Sequence, residues 1–191
     1  GLQTVVSRTL PPRRPGVITV GAFHSGTKHN IISDAAHLQL TVRTESPQDR
    51  TLLLDGIRRV AENMGRVAGL PDELLPEVVV SEESVPPTLN DKVLTERVMA
   101  LWNGHFGEGV LFSGERLGMG AEDFPFFTIN PYIPSLYFAV GGTPPEDFAA
   151  EKAGGPPVPS HHSPLFKIEP DASVTLGVEA SVTALLDLLG S

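Results

Sequence analysis

The chain contains no cysteine. Disulfides, thiolate nucleophiles, iron–sulfur clusters and Cys-type zinc sites are therefore excluded from it, while His and carboxylate ligands leave a metal site open. Compartment is not decided by that absence, because a cysteine-free chain tolerates either redox environment. Basic residues are also scarce: Lys+Arg 14 against Asp+Glu 23 leaves a net charge of −9. The positive residues are spread out apart from Arg13-Arg14 and Arg58-Arg59, so neither nucleic acid nor an anionic membrane is an expected partner. Long apolar runs are missing too. No stretch approaches the roughly eighteen apolar residues of a membrane-crossing helix, and GLQTVVSRT at the start lacks the charged lead-in, apolar run and cleavage site of a signal peptide. Cytoplasm is the default expectation. There is no HExxH-like spacing and no GxSxG elbow, and the LGMGAE stretch around Gly118, Met119 and Gly120 is not a complete nucleotide fingerprint. Ser163 beside His162 is adjacency in sequence, which does not make a triad.

What is present supports a real core: 40% of the 191 residues are hydrophobic, enough for one large domain or two small ones. Residues 1 to 9 read as a short helix stopped by Pro11-Pro12. The chain opens without Met on what reads as the end of an amphipathic helix, so a piece of something longer is expected. VITVGAF (17 to 23) and HLQLTVRT (37 to 44) read as strands, the second with Leu38, Leu40 and Val42 on one face and His37, Gln39, Thr41 and Arg43 on the other. HSGTKHNIISD joins them as a hairpin connection. Ser46 as N-cap, Pro47 at the first helical position and Asp49 at N3 open a helix whose stripe is Leu53, Ile57, Val60, Met64 and Val67, ended by Gly69 and Pro71. PEVVVSEE (76 to 83) reads as a third strand.

PPTLN (86 to 90) marks a domain boundary, followed by a helix over 91 to 107 that buries Leu94, Val98 and Leu101 or Trp102. The loop ERLGMGAEDFPFF, a strand SLYFAV (135 to 140) and a long loop over 142 to 160 come next. A final helix is expected from an N-cap at Asp171 to Leu189, burying Val178, Val182, Leu185 and Leu189. This alternation predicts an α/β class.

Four places could carry chemistry. In PSHHSPLF, His161 and His162 are either metal ligands or loop histidines; as successive residues they are expected to point apart, which leaves one ligand and one bystander. Glu122 and Asp123 of GAEDFPFF either cap a short helix or sit behind a metal ligand as acceptors. Arg43 is a salt-bridge residue or a planar clamp for a substrate carboxylate. Asn30 either relieves a left-handed turn or donates to a carbonyl. A complete small enzyme would need a single-metal site built from His162, Glu122 and Asp123.

Taken in order, LQTVVSRTLPP, VITVGAFHSGTKHNIISDAAHLQLTVRT, PPTLND, MGAEDFPFF and HHSPLFKIEPD resemble the zinc-dependent aminoacylase/carboxypeptidase-like metallopeptidase family, in its amidohydrolase branch with hippurate hydrolases and indoleacetyl-amino-acid hydrolases. The resemblance runs over nearly the whole chain. It implies the C-terminal part of a two-domain α/β metallohydrolase: residues 1–83 as a βαββαβ lid and dimerisation domain lacking its first strand, and residues 84–191 as the end of the catalytic domain. It implies that His162 is a metal ligand and His161 is not. Asn30 is implied as the catalytic and substrate-binding group near the carbonyl, and Arg43 as the residue for the substrate's carboxylate. Two divalent metals, zinc or manganese, nickel or cobalt, are implied for the intact protein. The implied substrate is an N-acyl amino acid or small peptide, and the implied partner is a second copy joined through the lid or a companion N-terminal fragment. Ser33 departs from the pattern, which has Pro there and so implies a looser turn. The upstream metal cluster and Glu pair of the pattern have no counterpart in these residues, so the chain alone is expected to be inactive. The alternative is a non-catalytic dimerisation or association module.

Overall fold

The computed structural model describes residues 1–112, 114 and 118–190; residues 115–117 of the expected loop ERLGMGAEDFPFF lie outside the described residues. The described chain is α/β, with a small antiparallel sheet and helices. Its contacts gather into two compact units. The first comprises residues 1–88 with the described residues of 117–130, and the second the described residues of 89–116 and 131–190.

In the first unit, α1 (Leu2–Thr9) leads into the hairpin of β1 (Gly16–Ser25) and β2 (Ala36–Thr44), and α2 (Pro47–Val67) follows. The strands pair antiparallel from Gly16 opposite Thr44 to Val20 opposite Leu40. The register then slips by one residue, and Ala22 faces Gln39 and His24 faces His37. Gly21 is the extra residue of this bulge. Leu38, Leu40 and Val42 lie on the less exposed face of β2, as the two-residue period predicts. Val5, Leu10, Ile18, Leu53 and Ile57 form the core, so both helices cover one face of the hairpin.

Gly56 allows α1 its close approach: a Cβ there would overlap the Val5 side chain. The start of α2 is built as expected. Ser46 Oγ accepts from the Asp49 amide at 3.1 Å, and the Asp49 carboxylate accepts from Ser46 Oγ and from Arg14 Nη1, both at 2.8 Å. Asp49 is 3% exposed, so this pairing compensates a buried charge. Gly69 takes a φ of 78° just past the helix end.

The predicted stripe of α2 is buried only in its first half. Met64 is 60% exposed and Val67 82%, because α1 is 8 residues long and cannot cover a helix of 21. The expected third strand at 76 to 83 is not formed. Val78 packs on the core, yet the segment pairs with no neighbour, and the only paired sheet among the described residues is the hairpin. β-Branched composition suits a pleated surface, but a strand exists only where a partner completes its ladder.

In the second unit, α3 (Lys92–Phe106), α4 (Pro145–Lys152) and α5 (Pro170–Leu189) are helical. Val98, Trp102 and Ala180 form the core, which settles the choice between Leu101 and Trp102. Trp102 Nε1 donates to the Ala180 carbonyl at 3.0 Å, and its ring meets Phe138 edge-on at 4.8 Å. The expected strand 135 to 140 is absent here as well. Its backbone is held by Asn90, whose amide donates to the Tyr137 carbonyl at 2.9 Å while its oxygen accepts from the Tyr137 amide at 2.8 Å. A side chain thereby supplies the pair of bonds that a neighbouring strand would.

The expected loop over 142 to 160 contains α4, started by Pro144-Pro145. Asp171 is not the N-cap of α5: the helix begins at Pro170, with Glu169 before it and no side-chain cap. The buried face is also reversed. Ala180 and Ala184 meet the α3 core, whereas Val178, Val182, Leu185 and Leu189 are exposed, because the bulk of Trp102 leaves room only for small residues opposite.

Contrary to the sequence expectation, α5 is long and apolar enough to cross a membrane by length and composition, at a mean hydropathy of 1.5. Two of its three carboxylates nevertheless face α3. Asp187 pairs with Arg97 at 2.7 Å and Glu179 approaches His105 at 3.8 Å.

Candidate functional site

The hairpin carries two of the candidate residues. Asn30 is exposed in a turn closed by the Ile31 amide donating to the Lys28 carbonyl at 3.3 Å. The left-handed reading of Asn30 does not hold, since every described residue with positive φ is a glycine. Ser33 does not loosen the connection. Its hydroxyl donates to the Ala35 carbonyl at 2.7 Å and accepts from the Ala35 amide at 3.3 Å, and Ser25 Oγ donates to the same carbonyl at 2.9 Å. Two serines therefore close the neck of the loop by hydrogen bonds, where a proline would stiffen it covalently.

Arg43 stands opposite Val17 on the exposed face of β2, at the end of the hairpin away from that loop. Seven residues of strand separate it from Ala36, a reach of about 23 Å. The structure thus places Asn30 and Arg43 at opposite ends of one hairpin. Arg43 Nη1 donates to the Met119 carbonyl, so the guanidinium is tied to the GMGAED stretch, and it has no acidic partner among the described residues. Among the described residues, its other four N–H donors have no acceptor. Sequence reasoning missed this main-chain partner, which is 76 residues away in the chain.

Glu122 and Asp123 precede a short 3₁₀ turn at Phe124–Phe127. Asp123 occupies the cap position without a side-chain hydrogen bond, so the capping role is not taken up. His161 and His162 belong to the second unit, in a turn closed by the Ser163 amide donating to the Ser160 carbonyl at 2.8 Å. Their rings do not diverge as expected for successive residues. The centroids are 4.4 Å apart and the planes tilted by 48°, because the chain reverses at that point instead of extending. Both rings are exposed.

Among the described residues no group of at least three His, Cys, Asp or Glu side chains is placed to hold a metal ion. Of the residues in the expected single-metal site, Glu122 and Asp123 belong to the first unit and His162 to the second. A two-metal centre calls for several imidazole and carboxylate ligands around each ion, and no such group is gathered among the described residues.

One further polar cluster was not anticipated. Asp91, the N-cap of α3, accepts from the Leu94 amide at 2.8 Å and from the Tyr132 hydroxyl at 2.7 Å. The amide bond, followed by the Tyr132 bond, lowers the Asp91 pKa, and the same bond to Asp91 raises that of Tyr132. The Asp before KVLTERVM is a readable N-cap signal; nothing local points to Tyr132.

Comparison with known proteins places these residues in a family. The chain is 30% identical over 188 residues to an uncharacterised hydrolase, y4tI, of Sinorhizobium fredii, covering 98% of this chain and 42% of that protein. It is 27% identical over 140 residues to N-acetyldiaminopimelate deacetylase of Streptococcus thermophilus (73% of this chain, 35% of that protein). Thermostable carboxypeptidase 2 of Saccharolobus solfataricus matches at 31% over 137 residues (72% and 32%). A crystal structure of a putative aminohydrolase from methicillin-resistant Staphylococcus aureus superposes with a TM-score of 0.71 at 26% identity, over 97% of this chain and 43% of that one. The chain belongs to the aminoacylase/carboxypeptidase-like family, in its amidohydrolase branch. Its named relatives are hydrolases, and the chain spans less than half the length of those it matches. No family model matches the chain.

Proposed function

We propose that the intact protein hydrolyses the amide bond of N-acyl amino acids or small peptides, and that this chain supplies part of the site and is inactive alone. The observation that carries this reading is the match to an uncharacterised hydrolase along 98% of the chain, and to a deacetylase and a carboxypeptidase along 73% and 72% of it, joined to the lack of a three-donor metal group among the described residues. In this reading residues 1–83 act as the lid and 84–191 as the end of the catalytic domain, in a cytoplasmic protein. His162 provides one ligand to a pair of divalent metals, zinc or manganese, nickel or cobalt, whose other ligands lie outside the chain. Those metals supply Lewis acidity and an activated water.

The residues of this chain bind and orient. Asn30 donates its amide to the scissile carbonyl oxygen, where negative charge develops. Arg43 turns its free guanidinium edge to the substrate carboxylate. An N-acyl amino acid extends over about two residues, roughly 7 Å, far less than the strand length between Arg43 and the loop end of the hairpin. One small substrate touching both residues therefore draws them from two copies of the chain, which favours a homodimer.

The test is hydrolysis of benzoyl and acetyl amino acids and dipeptides by a full-length protein carrying this chain, with metal content measured. Activity lost with about one metal site in His162→Ala, and no activity in the isolated chain, is the expected result. Unchanged metal content and rate in His162→Ala would overturn the ligand assignment. The second reading, an association module, is favoured by the exposed Val178, Leu185, Leu186 and Leu189 of α5; a full-length protein without hydrolase activity would establish it.

A further inference from the structure

His24 and His37 are directly opposed residues on β1 and β2. Residues opposed in an antiparallel pair share a face, so both imidazoles leave the sheet on one side. The bulge at Gly21 creates this pairing: in the register of Gly16 to Val20, the residue opposite His37 would be Phe23. Both histidines are exposed, and neither has a hydrogen-bond or ion-pair partner among the described residues. Their neighbours in the next pair are the uncharged Ala22 and Gln39, so no fixed cation on that pair opposes an incoming positive ion.

We propose that His24 and His37 form a two-imidazole binding site for a borderline divalent cation of the zinc, nickel or copper class. Directly opposed Cβ atoms lie about 4.5–5.5 Å apart. Two imidazole nitrogens bound tetrahedrally at about 2.0–2.1 Å lie roughly 3.3 Å from each other, a convergence that rotation of two exposed rings supplies. Neutral imidazole suits these ions, whereas magnesium and calcium prefer oxygen. The protein provides two ligands and leaves the remaining positions to water or an external donor. The ion sits beside the neck closed by Ser25, Ser33 and Ala35, so its binding ties the strands together where the loop bearing Asn30 departs. This inference is independent of the proposed hydrolase role and of His162.

The experiment is a titration of the whole chain with zinc chloride alone, followed by calorimetry, imidazole NMR signals and amide exchange. The expected result is one tightest site, with the His24 and His37 ring signals moving together and slower exchange at Ser25 and Ala36. Losing a ligand costs at least what losing an outer hydrogen-bond partner costs, so His24→Gln and His37→Gln each weaken binding by about tenfold or more. His29→Gln and His162→Gln leave that site unchanged. Unaltered affinity in both His24→Gln and His37→Gln, loss of the tightest site in His162→Gln instead, or absence of binding would each overturn the proposal. If either variant fails to fold, the ring signals of the unsubstituted chain decide: His24 and His37 moving together supports the site, and both staying still overturns it.

Discussion

Asp91, held by the Leu94 amide and the Tyr132 hydroxyl, titrates below its ordinary value of 3.8. A carboxylate with a depressed folded pKa adds stability that is present above the unfolded pKa and is lost as pH falls through the folded one. The contribution of Asp91 therefore persists down to about pH 4 and fades below it. Tyr132, with its raised pKa, adds stability below its ordinary 10.0 that is lost as pH climbs past that value. Tyr132→Phe removes one of the bonds lowering Asp91, so its carboxyl resonance should titrate at higher pH than in the parent chain; an unshifted titration would show that the Leu94 amide alone sets it. Arg43→Met should free the Met119 carbonyl, seen as faster amide exchange across residues 118–120 with little change in unfolding midpoint. At this scale the sequence was readable in part. The face of Arg43 followed from the strand period, but its partner lies 76 residues away, and no local pattern encodes such a contact. For the same reason His24 and His37 were visible only as separate residues until the bulged register paired them.

The α1–α2 contact depends on Gly56, since a Cβ there would overlap Val5. Gly56→Ala gains about 1 kcal/mol of helix propensity but overpacks the contact at a cost of roughly 1–3 kcal/mol, so urea unfolding should show a lower midpoint. Val5→Ala should offset part of that loss, making the double variant less destabilised than the sum of the single ones. Asp49→Ala removes both the acceptor for Ser46 and the partner of Arg14 from a buried position, and should cost about 1–3 kcal/mol in the same measurement. The start and stop of α2 were legible, because Ser46, Pro47 and Gly69 act on neighbouring backbone groups, whereas Asp171 does not cap α5 and α4 was read as loop. The strands expected at 76–83 and 135–140 were not correctly read. Apolar β-branched segments advertise a preference, whereas pairing depends on what lies alongside; Asn90 takes the place of a strand for one segment, and Val78 contributes only packing for the other.

Across the molecule, large apolar side chains remain outside, among them Leu186 at 68% and Leu189 at 82% exposure on α5. Val174, Val178 and Val182 line an open groove with Phe138 and Val140 in the second unit. An exposed apolar surface of this kind favours association. Leu186→Gln with Leu189→Gln should therefore reduce self-association of the isolated chain, followed by light scattering, with little effect on its unfolding midpoint. Unchanged association would place the contact surface elsewhere. The sequence by itself determined the exclusion of cysteine chemistry, the acidic balance, the capped start of α2, the faces of β2 and the family resemblance, since all of these are carried by composition or by neighbours along the chain. Only the tertiary structure decided that Trp102 meets the small face of α5, that Arg43 is tied to Met119 and that His24 faces His37. These depend on the volume and register of partners distant in sequence, and packing resolves them only when the whole backbone is in place.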